Sequence, residues 1–232
     1  MKSRSLGIAL TAAATLSAPA KDAVVLLHGL ARSPKSMKKM EKALAAEGYQ
    51  VVNLGYPSRQ HTVEDLSAFV SRKVAEKTGG AEQVHFVTHS LGGILVRHIQ
   101  THRPIGNIGR TVMLSPPNHG SEVVDKLRCL KAYQWINGPV GQELGTGPDG
   151  VAAMLKPVTN EVGVLTGSRS INWINSLMIP GKDDGKVSVA SAEVEGMKDY
   201  KVMPASHPFI MKKKAAINEV IAFLKNGEFT KE

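Results

Sequence analysis

Val84-His85-Phe86-Val87-Thr88-His89-Ser90-Leu91-Gly92-Gly93 is the stretch on which the fold turns. Residues 84–88 are a short run rich in β-branched and apolar side chains, as a buried strand requires, and 91–102 places its apolar residues at helical spacing. Only His89 and Ser90 separate the two. A strand that enters a helix through so short a connection must turn sharply. That turn leaves Ser90 exposed at a helix N-terminus, where free N–H groups and the helix dipole favour developing negative charge. Gly92 lets the turn close. Thr88 stands where a glycine is usual, two residues before the serine, and its branched side chain is expected to open the turn slightly. The bland alternative for Ser90 is a helix N-cap.

Working outward, strand and helix patterns alternate. Strands are predicted at 23–27, 49–54, 84–88, 110–114, 160–165 and 200–203. Helices are predicted at 36–47, 62–77 with Thr62 as cap, 91–102, 122–136 and 212–225. The first strand, AVVLL, is continuously apolar, which fits a strand covered on both faces. The expectation is an α/β fold: one mostly parallel sheet with helices on both faces. The Gly- and Pro-rich segment 138–157 reads as a loop or small cap over the site, and the connection between strands 110–114 and 160–165 as a helix plus a loop.

The chain has 232 residues, 42% hydrophobic and 21% charged, with 22 Gly and 12 Pro, values that exclude a disordered, collagenous or mainly membrane-embedded chain. Residues 21–232 are read as one domain. Residues 1–20 carry Lys2 and Arg4, an apolar run and then Ser17-Ala18-Pro19-Ala20, the order of a secretory signal. Cleavage would place the protein in the periplasm or outside the cell, and retention in the cytoplasm. Cys129 is the single cysteine, so neither an internal disulfide nor a thiolate zinc cluster can staple the fold. The formal charge of +9 permits a polyanionic partner. With 5% aromatics and no basic-aromatic cluster, nucleic acid is a poor fit. The basic surface suits peripheral contact with an anionic membrane surface, or simple solubility.

In an open parallel sheet, reactive groups collect in the loops after the carboxyl ends of strands. His28-Gly29-Leu30 follows the first strand, and Gly29 allows backbone N–H groups to aim inward. Leu30 N–H and Leu91 N–H would then supply the two donors an oxyanion needs. His28 reads as a hydrogen-bonded structural residue. A serine hydroxyl becomes nucleophilic when an imidazole takes its proton and a carboxylate orients that imidazole. His207, in Ser206-His207-Pro208-Phe209, follows the last strand and precedes the last helix. Lys182-Asp183-Asp184-Gly185-Lys186-Val187 supplies the acid, with Asp184 preferred over Asp183 because a glycine follows it. His119 competes with His207 for the role of base. His98 and His102 read as a solvated helix face, and Gly145-Thr146-Gly147-Pro148-Asp149-Gly150 as a turn-rich loop without a preceding strand. Trp135, Trp173, Ile136, Ile171, Ile174, Leu177 and Met178 read as core, with an acyl-pocket lining as the alternative.

The H-G-L loop, the T-H-S-L-G-G turn, D-D-G-K-V and S-H-P-F, in that order from about residue 23 to 225, resemble the α/β-hydrolase superfamily on its bacterial lipase and esterase side. Pro117-Asn118-His119-Gly120-Ser121 resembles a stretch of such lipases whose histidine is not the base. The resemblance implies Ser90 as nucleophile, His207 as base, Asp184 as orienting acid, and Leu30 and Leu91 as oxyanion donors, in an α/β-hydrolase-like fold with a small or minimal cap. It implies an enzyme without cofactor or metal that cleaves a small-molecule or lipid carboxylic ester through an acyl-enzyme; the connection between 115 and 164 is too short for a large lid, which favours short to medium acyl chains, and a monomer is favoured. A thioesterase, amidase or acyltransferase on the same fold, or a non-catalytic binding protein, are the other readings.

Overall fold

The structure, a computed structural model, describes residues 21–231. The proposed leader at 1–20 lies outside them. Six strands, β1 (Ala23–Leu27), β2 (Gln50–Leu54), β3 (Val84–His89), β4 (Ile108–Leu114), β5 (Val162–Gly167) and β6 (Asp199–Met203), form one sheet in the order β2-β1-β3-β4-β5-β6. Every neighbouring pair is parallel.

Side-chain alternation along the central strands explains why β1 is apolar throughout. Val25 and Leu27 pack under α2 (Val63–Lys77) and α3 (Leu91–His102), while Val24 and Leu26 pack under α1 (Lys38–Ala46) and α8 (Lys214–Asn226). Phe86 and Val87 of β3 divide between the same two faces. Both faces are therefore dry, and the chain can enter and leave the sheet only at strand ends. Thr62 caps α2 by accepting from Asp65 N at 3.2 Å.

The connection from β4 to β5 holds more helix than the sequence pattern predicts. In place of one helix over 122–136 and a loop over 138–157 there are α4 (Glu122–Leu127), α5 (Lys131–Gln142) and α6 (Val151–Met154). Gly138, at φ 67°, kinks α5 where it crosses the segment at Arg59, and a Cβ there would meet Arg59 O at 1.7 Å. The 145–150 segment is a loop, pinned by Thr146 Oγ1 donating to Asp125 at 2.6 Å. A further short helix, α7 (Trp173–Ser176), lies between β5 and β6. Among the described residues, no helix is long and apolar enough to cross a membrane.

Candidate active site

The strand order reverses direction between β1 and β3, and that is where an open α/β sheet leaves a crevice beyond its carboxyl ends. Ser90 sits there at φ 53°, ψ −121°, a left-handed conformation unusual for a non-glycine residue. Its side chain makes no capping bond, which removes the N-cap reading. Ser90 N donates to Leu114 O at 2.9 Å and so ties the turn to β4. Thr88 is accommodated as the penultimate residue of β3, in register with Leu27 and Met113. Room for it comes from Gly93, whose missing Cβ would stand 3.4 Å from Thr88 Oγ1.

The backbone brings the other loops close by omitting side chains. A Cβ on Gly29 would lie 2.7 Å from His89 Nδ1 and 3.2 Å from Ser90 Cβ, so the glycine sets how near the β1 loop approaches the serine. A Cβ on Gly167 would meet Ala205 O at 2.3 Å and Asp184 Cβ at 2.9 Å. It is Gly167, at the end of β5, that lets the loops bearing Asp184 and His207 close on one another. His207 N then donates to Asp184 O at 2.9 Å.

The side chains complete a line. His207 Nε2 is 3.1 Å from Ser90 Oγ, and His207 Nδ1 is 2.8 Å from Asp184 Oδ2. An ionised carboxylate only accepts, so the Nδ1 hydrogen faces Asp184 and the Nε2 lone pair faces the serine hydroxyl. Asp184 is fully buried, and its Oδ1 accepts from Lys186 N and Val187 N, each at 3.0 Å. Burial alone would raise its pKa; His207, the Ser115 hydroxyl and the Val187 amide outweigh that and hold the carboxyl below its ordinary value. Asp183 faces away, accepting from Gly185 N at 2.7 Å and Ser176 Oγ at 2.8 Å. His119 is exposed, on a shallow surface away from Ser90. His28 stacks on Tyr56 with ring centroids 4.1 Å apart and bonds its own loop at Gly29 O. Neither Leu30 N–H nor Leu91 N–H has an acceptor among the described residues.

Two expectations fail. His98 is not on a solvated face: it is buried between α2 and α3 with Nδ1 2.8 Å from Ser67 Oγ. The apolar residues singled out at 135–136 and 171–178 are not core, Met178 being half-buried and the others exposed. Trp135 is 83% exposed, Trp173 71% and Leu177 78%, with Ile136, Ile171 and Ile174 also exposed. A single outward turn such as α7 has too few residues for periodicity to separate rim from core. Of this group, only Ile171 reaches a cavity beside Ser90.

Two cavities meet at the serine, sharing Leu30, Ser90, Asn175, Lys186 and His207. One, about 170 Å³, is walled by Val123, Val124, Leu127, Tyr133 and Leu144. The other, about 180 Å³, holds Arg32, His89, Asn172 and Asp184. Arg32, Lys186, Ser115 and Gly167 carried no predicted role. Only Lys186 could have been noticed, as part of D-D-G-K-V.

Comparison with known proteins identifies the family and the fold. The family model described as the alpha/beta hydrolase family matches residues 24–205. The chain belongs to the alpha/beta hydrolase family. Among solved structures, it resembles mature Bacillus licheniformis lipase BlEst2 at TM-score 0.68 and 19% identity, covering 92% of this chain and 94% of that one. It also resembles the Legionella pneumophila phospholipase PlaB (TM-score 0.70, 18% identity, 89% of this chain and 59% of that one). The metagenomic carboxyl esterase MGS0156 is similar at TM-score 0.70 and 16% identity, covering 90% of this chain and 71% of that one. This alpha/beta hydrolase spans about three fifths of the phospholipase's length. At these identities the likeness is one of fold. No curated protein matches the sequence.

Proposed function

We propose that this chain is a serine hydrolase of carboxylic esters. The observation that carries the reading is the hydrogen-bonded line from Ser90 Oγ through His207 to buried Asp184. Ser90 Oγ attacks the ester carbonyl carbon as its proton passes to His207 Nε2. The carbonyl oxygen becomes an oxyanion facing the Leu30 and Leu91 amides. The intermediate collapses, the bond from carbon to the leaving oxygen breaks, and His207 returns the proton to the departing alcohol. Water then attacks the acyl-Ser90 ester by the same route, releasing the acid and restoring the hydroxyl.

A mostly apolar cavity of about 170 Å³ supports a short to medium acyl chain, since pockets for drug-sized ligands measure roughly 300–1,000 Å³. The exposed Trp135, Trp173 and Leu177 support docking on a lipid surface. The basic, apolar, small-residue order of residues 1–20 supports export.

Fluorophosphonate labelling with p-nitrophenyl butyrate turnover tests the assignment. The wild-type chain is expected to be labelled at Ser90, and Ser90→Ala to lose on the order of 10⁶ in kcat. Near wild-type turnover in that variant would reject it.

A further inference from the structure

We infer that Arg32 and Lys186 form a subsite for an anionic group, a phosphate or a carboxylate, on the alcohol part of the ester. The inference rests on the ester-hydrolase reading and narrows its substrate class.

The two cavities at Ser90 differ in chemistry. The one walled by Val123, Val124, Leu127, Tyr133 and Leu144 is mostly apolar and can solvate an acyl chain, with Asn175, Lys186 and His207 standing where it meets the other. The other has Arg32 and Lys186 on its wall, with Asn172 and Asn175 beside them. It also wraps the base: His89, Asp184, Gly185 and Pro208 line it together with His207. His207 borders both cavities, so the lining decides: the apolar cavity suits the acyl chain, and the one that adds Arg32 and Asn172 suits the alcohol.

Neither cation is neutralised. No ion pair or side-chain hydrogen bond engages Arg32 or Lys186 among the described residues. The acid facing Lys186 is Asp184, which already receives His207 and two amides. Arg32 and Lys186 are both exposed residues at the open side of the cavity, and the surrounding wall partly desolvates the Lys186 ammonium. That desolvation, and then the Arg32 guanidinium, lower its pKa from the ordinary value of 10.5. Two mutually repelling cations held at a cavity wall are relieved by an anion between them. A guanidinium and an ammonium together match the several oxygens of a phosphate or carboxylate.

The test compares soluble probes that share one acyl chain: 1-butyrylglycerol, its 3-phosphate, and 3-O-butyrylglycerate. Soluble probes keep membrane adsorption out of the readout, and the two anions separate a phosphate site from a carboxylate site. The expected result is a kcat/KM at least about ten-fold higher for one anionic probe than for the neutral one. Arg32→Gln and Lys186→Gln should each cut that ratio about three-fold or more, and the double variant should abolish it. Raising the salt to 0.5 M should also shrink it, by screening, by roughly half or more. A complementary wild-type measurement needs no variant to fold: glycerol 3-phosphate or glycerate should compete with 1-butyrylglycerol, and glycerol should not. Turnover of the neutral probe without preference for either anion, or a preference that survives in the double variant, overturns the subsite and leaves the hydrolase reading standing. Turnover of no probe, with Ser90 unlabelled by fluorophosphonate, overturns both.

Discussion

Gly29 lies so close to His89 that a Cβ at position 29 would come within 2.7 Å of the imidazole Nδ1. The ring cannot yield freely, because its Nε2 is bonded to His207 O at 2.9 Å. Gly29→Ala should therefore push the Leu30 amide away from Ser90, or His207 out of line. The expected loss in kcat is on the order of 10²–10³, the size of a lost oxyanion donor, with the fold retained. Steady-state kinetics alongside thermal melting checks this; wild-type kcat in the variant would mean that the loop relaxes without cost.

Ser90 at φ 53° stores backbone strain, which its proposed role as nucleophile would justify. Ser90→Gly should abolish ester turnover and raise stability by about 1 kcal/mol, while Ser90→Ala, which keeps a Cβ in the same conformation, should gain little. Urea denaturation of the three proteins measures the difference.

The neighbouring acids should separate sharply. Asp184→Asn removes the acceptor that fixes the His207 tautomer and should lower kcat by on the order of 10⁴. Asp183→Asn weakens a turn that holds Ser176 and Gly185, and should cost less than about ten-fold. The reverse ranking in kcat would exchange their assignments.

Stability should fall on mild acidification. Burial first, and then the neighbouring His207, hold His89 well below its ordinary pKa of 6.5, so it stays neutral in the folded chain. Once unfolded, it takes up a proton as pH falls through 6.5. The unfolded state therefore binds more protons in that window and gains relative to the fold, by up to about 1.4 kcal/mol per pH unit for this residue. Urea midpoints at pH 7.5 and 5.5 test the slope, and His89→Asn should flatten it by roughly one proton.

The exposed tryptophans predict surface behaviour. Replacing Trp135 or Trp173 by Ser should each lower partitioning onto anionic vesicles by about ten-fold, from ~1.5 kcal/mol per buried apolar side chain. Vesicle sedimentation measures this. Unchanged partitioning in the double variant would assign these side chains no role at a lipid surface.

Legibility in the sequence followed locality. The β3 turn and the strands about it are written in runs of a few residues, so VHFVT and AVVLL could be read directly. Ser90, Asp184 and His207 stand out because each follows a strand end, although the distances between them depend on Gly29 and Gly167, whose importance is steric and nonlocal. The accommodation of Thr88 is equally hidden, since it depends on what Gly93 lacks. Trp135 and Trp173 mislead because large apolar side chains usually signal a core; Trp173 sits in a four-residue helix too short to show which side faces out, and Trp135 in a helix that Gly138 kinks. Arg32 and Lys186 lie far apart in the chain and meet only when β1 and the β5–β6 connection converge.

The division of the pocket walls between two connections bears on how this enzyme scaffold can change. The apolar stretch of wall from Val123 to Leu144, proposed to take the acyl chain, belongs to the β4–β5 connection, which carries none of the proposed reacting groups. The wall from Ile171 to Lys186, proposed to take the alcohol, is continuous with the segment that holds Asp184. On the proposed assignment, mutational drift at 123–144 would retune acyl-chain length away from the acid, while new alcohol specificity at 171–186 would have to be acquired without disturbing Asp184, an asymmetry in evolvability built into the order of the strands.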